Sequence, residues 1–537
     1  MSGPGDLGPI DRMVELAETL AGAWGARARL CTTGGQERAL LRMFGVTGLD
    51  RAGRPLAAEV VDRYVAHRPD RLAGGVVLPF TAALLEYETT PQDLALDVAS
   101  GAVDLGLEAE VLHDRDRRAA VEVAARALGA SALDRIDANR TARLELLDLI
   151  GDADKPWLGA SLVAADAGVG AREAAALAMA GVDVVQVSVP AIRELAERLH
   201  DEGIDVPFWR PRPAASGPPA GDAPTEPAPS GSQRGLAELR QAVDAAAAER
   251  RAYARLATVG MPLAAPEQAV VAAFERIDVV AADVVAEIVD GNVDPDRALA
   301  DHAFAHRILA RSGATVLVGA GPLVVGPDLA RGLPSDATTR AGRALALQLV
   351  GVFLARIHGV PEGRLLIGAL SPWLIDERGP TAAAIAQVAV RRAALPGHPL
   401  AFDEPAVGTR AAVAWPSVLG AVLPLAGSSG LIVRAAPSDG ASIAETVAAT
   451  RAAAAIALET SSSLGPLRPR GAALTMARGT VTAAVATLER IAASGWPSIL
   501  GEPIRPARRG RLGADAVVER TESFDPLVGV EAEVIRR

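Results

Sequence analysis

Lysine is almost missing from this chain: of its 54 basic side chains, one is a lysine, Lys155, and the rest are arginines. Chemistry that needs an amine nucleophile therefore has a single candidate. Cysteine is equally scarce. The one thiol, Cys31, excludes an intrachain disulfide and any cysteine-cluster zinc or iron–sulfur site, and suits a reducing, cytoplasmic compartment. Basic blocks are missing too, since the formal net charge of -11 is spread along the chain. Without clustered Lys and Arg, a nucleic-acid partner is not expected. The opening residues have no basic stretch before an apolar one, so no secretory signal is expected. Residues 411–433 carry no charge, but Pro416, Pro424 and a Gly-Ser-Ser-Gly break fit a buried helix, loop and strand better than a membrane span.

What remains is a long globular chain, 537 residues with half of them apolar, enough for one large core. Residues 1–150 read as a helical N-terminal region, with apolar residues three and four apart in segments such as DRMVELAETLAGAW and ARLELLDLIG. One helix start is expected at Thr89 or Thr90, before Pro91 and Asp93. From residue 158 the period changes. LGASLVAADAG reads as a strand, VGAREAAALAMAGV as a helix and VDVVQVSV as a second strand, a βαβ unit. Helices are expected at 235–257, 266–289, 338–357 and 380–394, with strands in ATVLVGAG, RLLIGAL, PLAFDEP and GLIVRAA. This alternation predicts an α/β fold, a (β/α)8 TIM-type barrel over 151–470, with a C-terminal helix and tail over 471–537.

Residues 210–234, RPRPAASGPPAGDAPTEPAPSGSQR, are dense in Pro, Gly, Ser and Ala and are predicted to be disordered, because they cannot bury enough surface to offset ordering entropy. Strand signals on both sides make the segment an insertion within one barrel. Several local motifs point to bland roles. GAGPLVVG at 319–326 misses nucleotide-loop spacing and the Walker lysine, and GSSG at 427–430 is not a nucleophile elbow. His302 and His306 share a helical face, yet the glutamate of H-E-x-x-H and a third ligand are missing, so no metal is expected. Lys155, just ahead of a strand, reads as a surface charge.

ERALLRMFGVTGLDRAGRPLAAEVVDRY, 37–64, resembles the N-terminal signature of the α subunit of D-lysine 5,6-aminomutase. The likeness continues through TTPQDLALDVASGAVDLG, GDADKPWLGASLVAADAG, RAYARL, DGNVDPDRALADHAF and GADAVVERTESFDPLV. The resemblance implies a barrel whose mouth binds pyridoxal phosphate (PLP), working in an oligomer with a separate β subunit that carries adenosylcobalamin and the PLP lysine. The implied reaction is a 1,2-amino shift on lysine, ornithine or a related small amine. This chain has no D-x-H-x-x-G of its own. It also departs from the family after Val187, where SVPAIRE replaces a phosphate-binding stretch, and after RAYARL, where ATVGM replaces a tyrosine-bearing segment. Tyr253, Arg255, Asp290 and Asn292 are the matching polar residues carried over as cofactor-binding, with Arg255 the phosphate partner. The alternative is a non-catalytic barrel serving as a scaffold or regulatory subunit.

Overall fold

The computed structural model describes residues 7–50, 54–66, 68–162, 167–187, 233–258, 265–282, 284–289, 294–319, 336–369, 379–403, 430–434, 469–495 and 517–521, with short pieces between 445 and 459 and at 524, 525 and 527. Eight parallel strands close into a barrel in chain order: β2 (Trp157–Ser161), β3 (Val184–Val187), β4 (Arg255–Thr258), β5 (Val279–Ala281), β6 (Thr315–Val318), β7 (Leu365–Gly368), β8 (Leu400–Asp403) and β9 (Leu431–Arg434). Closure comes from β9 pairing back on β2, with Trp157 opposite Leu431 and Gly159 opposite Val433. A short antiparallel pair, β1 (Cys31–Thr33) and β10 (Val517–Glu519), lies apart from it.

Period-2 alternation splits each barrel strand between two cores. Trp157, Val184, Ala257, Val279, Ala281, Leu317, Leu366 and Ala401 form the inner cluster. Their neighbours Val185, Leu256, Val280, Val316, Leu365 and Leu400 belong to the larger core beneath the helices. Capping chemistry sets several of those helices. Thr90 accepts from the Asp93 amide at 3.1 Å and starts the Pro91–Ser100 helix. Asp294 caps Pro295–Ser312, and Gly313 ends it with φ 69°. The Ala337–Ile357 and Gly471–Ser494 helices cross tightly at Gly342, where a Cβ would lie 2.5 Å from Ala483 Cβ and 2.7 Å from the Thr480 carbonyl.

Two expectations are corrected. The helix read at 235–257 is Gln233–Arg250 followed by β4, and the helix read at 266–289 is Glu267–Phe274, then β5, then Val284–Val289. Both breaks fall at arginines in left-handed conformation, Arg251 (φ 56°) and Arg276 (φ 55°). Gln233 and Arg234, placed at the end of the disordered insertion, begin a helix instead. Residues 210–232 and 411–429 lie outside the described residues. Among the described residues, no helix is long and apolar enough to cross a membrane.

Candidate functional site

The C-terminal ends of parallel barrel strands form the mouth at which this architecture places its sites. Here the inner wall combines small residues with Val279, Leu317 and Leu366. Ala281 and Ala401 belong to the inner cluster, and register places Gly159 beside Val184 and Gly368 beside Ala401. Gln186, fully buried, pairs laterally with Ala257. At the ends of β6 and β7 a side-chain amide joins the two strands: Gln348 Nε2 donates to the Val318 carbonyl at 3.0 Å and the Gly368 carbonyl at 2.5 Å. Gly319 is required beside it, since its φ is 107° and a Cβ would lie 1.7 Å from Gln348 Nε2. Arg391 Nε donates to Gln348 Oε1 at 2.9 Å, and burial lowers the Arg391 pKa to about 10.

Tyr253 and Arg255 are at the other pole. Arg255 is the first residue of β4 and Tyr253 precedes it, so both lie at the N-terminal end of the barrel. Arg255 Nη2 donates to Asp152 Oδ1 at 2.5 Å, and its guanidinium stacks 3.6 Å from the Trp157 ring centroid. The Tyr253 hydroxyl donates to Asp278 Oδ1 at 2.7 Å. The same carboxylate accepts from Arg143 Nε at 2.7 Å, Arg240 Nη1 at 2.6 Å and the Leu256 amide at 2.9 Å. Burial alone would raise the Asp278 pKa, but Arg143 and Arg240 hold it below the usual carboxylate range, while burial pushes the Tyr253 hydroxyl up. The structure places the Arg255 guanidinium against Asp152 and Trp157, at the pole opposite the mouth. Asp290 and Asn292 lie outside the described residues.

Lys155 also belongs to the N-terminal pole, two residues before β2, with Nζ 5.0 Å from the Trp157 ring centroid. A covalent anchor for an aldehyde cofactor at the mouth therefore has no source in this chain. Nor do the described mouth residues supply a cation for its phosphate at an inward position. On both counts they do not fit PLP by themselves. His302 and His306 are brought together on the Pro295–Ser312 helix with ring centroids 5.4 Å apart. Among the described residues no three or more of His, Cys, Asp and Glu are arranged to hold a metal ion. Cys31 is buried, and burial followed by the field of Asp296 raises its pKa.

Sequence reasoning missed the aspartates that organise the N-terminal pole. Asp183 stands just ahead of β3 and accepts the Leu158 amide at 2.9 Å, as Asp278 ahead of β5 accepts that of Leu256. Asp183 binds Arg250 and Arg451, each at 2.8 Å. Both begin an Asp-Val-Val triplet, at 183–185 and 278–280, but the same triplet at 283–285 leads into the Val284–Val289 helix.

A closed eight-stranded parallel barrel ringed by helices defines a protein of TIM-barrel class. Residues 6–410 match the family described as the D-lysine 5,6-aminomutase TIM-barrel domain of the alpha subunit. The chain belongs to that family. It is 26% identical over 370 residues to the lysine 5,6-aminomutase alpha subunit of Fusobacterium nucleatum, covering 69% of this chain and 65% of that protein. The alpha subunit from Acetoanaerobium sticklandii is 26% identical over 338 residues, covering 63% of this chain and 59% of that one. The chain thus spans about 60–65% of the length of these relatives. Dihydropteroate synthase from Anaplasma phagocytophilum aligns over 57% of this chain and 99% of its own, with 13% identity and a TM-score of 0.34.

Proposed function

We propose that this chain is an α-subunit-like component of an adenosylcobalamin- and PLP-dependent aminomutase, acting on lysine, ornithine or a related amine with a separate cobalamin-binding β-like subunit. The observation that carries the reading, beside family membership, is the position of Lys155. The one lysine lies at the pole away from the mouth, so a partner chain must bring the amine that anchors PLP. When bound, PLP supplies delocalisation for a substrate-centred radical and cobalamin supplies the radical. This chain's own part is positional. Its inner wall includes Ala281 and Ala401, and Gln348 holds the ends of β6 and β7 in place. A 1–150 helical region, a 151–470 barrel and a 471–537 appendage remain the proposed domains, in a cytoplasmic oligomer.

A second reading, a non-catalytic scaffold or regulatory subunit, is favoured by one observation: Tyr253 and Arg255, the carried-over polar matches that are described, are engaged in structural contacts at the N-terminal pole. An absorbance titration with PLP separates the two, run on the purified chain alone and with the product of a reading frame carrying D-x-H-x-x-G, together with size-exclusion chromatography. The aminomutase reading expects a complex and a shifted cofactor band only with the partner. A complex with no cofactor band supports the scaffold. A shifted band from the chain alone would overturn the argument from Lys155.

A further inference from the structure

The helical shell contains a column of titratable groups that the proposed catalytic role does not use. His302 and His306 of the Pro295–Ser312 helix and His358, which ends the Ala337–Ile357 helix, are 1%, 2% and 4% exposed. Ring centroids are 5.4 Å apart for His302 and His306 and 5.8 Å for His306 and His358. None of the six ring nitrogens makes a hydrogen bond. Glu287 approaches one end, with Oε2 2.9 Å from His302 Nε2 but outside hydrogen-bond geometry. At the other end the column meets the Ile10–Ala28 helix. Gly25 sits over His358, where a Cβ would lie 3.4 Å from Nε2.

The charged groups around this column are unevenly placed. From the N-terminal segment come Arg27, bonded to Asp296 at 2.7 Å, and Arg29, whose Nη2 donates to the Ile357 carbonyl at 2.5 Å. From the Pro295–Ser312 helix come Arg297, beside Asp301, and Arg307, paired with Asp525 at 2.7 Å. The segment after β10 adds Arg520, which shares Asp525, and the Ala337–Ile357 helix adds Arg356, paired with Glu362. Among the described residues Glu287 is the one carboxylate touching an imidazole of the column, and it lies at the end away from His358. A cation formed at His306 or His358 would be buried among arginines and other imidazoles.

We propose that the His302–His306–His358 column is an acid-sensitive latch that releases the Ile10–Ala28 helix from the helical shell. The other two helices of the contact are crossovers held between barrel strands at both ends, whereas the Ile10–Ala28 helix precedes the barrel. Its buried face is largely small, with Ala17, Ala21, Gly25 and Ala28 among Ile10, Met13 and Leu20. Of the three helices it is the one whose release breaks no barrel crossover.

The sign follows from the environment. Burial first, then the neighbouring imidazoles, holds His306 well below its usual range. Burial first, then Arg29, His302 and Arg307, takes His358 to about 3. Both are neutral in the closed state and titrate near 6.5 when released, so closure is fully favoured above that pH and is lost as pH falls below it. Each proton taken up only on opening shifts the equilibrium tenfold per pH unit, and the two together about a hundredfold.

The test is hydrogen exchange with mass spectrometry on the full chain between pH 7.5 and 5.0, corrected for the intrinsic rate. Peptides from 10–28 should open about a hundredfold more per unit of acidification below pH 6.5, while peptides from β2–β9 stay protected. The His306→Gln, His358→Gln double variant should lose that slope. Diethyl pyrocarbonate provides a readout that needs no variant: His306 and His358 should be unreactive at pH 7.5 and modified, relative to exposed model imidazole, in step with the opening. The proposal is overturned by pH-independent exchange over 10–28, by barrel peptides opening together with it, or by a slope that survives in the double variant.

Discussion

Asp278→Asn tests whether Tyr253 is a structural or a cofactor residue. In the native chain the carboxylate takes two donors on each oxygen: Arg143 Nε and the Tyr253 hydroxyl on Oδ1, Arg240 Nη1 and the Leu256 amide on Oδ2. The side chains of both arginines are at most 6% exposed. Asparagine keeps the shape but removes the charge, and its amide group must face donors whichever way it is turned. Two buried guanidinium groups are then left without this counter-charge, a change that costs about 3–5 kcal/mol. Tyr253→Phe removes one hydrogen bond to a charged acceptor and should cost about 1.5–3 kcal/mol. Urea unfolding followed by tryptophan emission reads both, because Trp157 sits at the same pole. An Asp278→Asn loss below about 1 kcal/mol would refute the reasoning. So would Tyr253→Phe leaving stability unchanged, the outcome expected if the phenol faced a cofactor instead.

Other expectations are as direct. Burial raises the Asp301 pKa to about 7, in spite of Arg297 and the Thr33 hydroxyl that donates to it. Its stabilising contribution is present below pH 3.8 and is lost as pH rises through about 7. Asp301→Asn should therefore be more stable than the native chain at pH 8, by up to about 4 kcal/mol, and should converge with it near pH 4 in a thermal-melt series. Gly342→Ala forces a Cβ against Ala483 and the Thr480 carbonyl and should lower stability by about 1–3 kcal/mol, read from the same urea curves. Thr90→Ala removes the cap of the Pro91–Ser100 helix and should cost about 1 kcal/mol, with the loss confined to that helix in hydrogen exchange.

Six of the eight barrel strands could be read from apolar runs between helical periods, and β4 and β5 could not. Arg255–Thr258 and Val279–Ala281 are as short as most of the barrel strands, so alternation alone does not outvote the flanking helical pattern. The turns ahead of them gave no warning either, because arginine fills left-handed positions, Arg251 and Arg276, where glycine would have marked a break. That error carried into the site. With RAYARL read as helix, Tyr253 and Arg255 had no polarity relative to the barrel. Once Arg255 starts a strand, it can only stand at the N-terminal pole. Family likeness fixed which residues matched and left open which end of the strand they occupied. Asp183 and Asp278 were not legible from Asp-Val-Val alone, since the same triplet at 283–285 leads into the Val284–Val289 helix.

The antiparallel pairing of β1 with β10 bears on how the chain is made. Cys31 aligns with Glu519, and Arg520 Nη2 donates to Gln36 Oε1 at 2.8 Å across 484 positions. At about 5–20 residues per second, a ribosome needs roughly 25–100 s to cover that distance. During that time the edge of β1 and the Gly34–Met43 helix after it, with its buried Glu37 and Arg38, have no closing strand. This segment is made long before the strand that completes it, so it is there that a nascent chain would most need shielding.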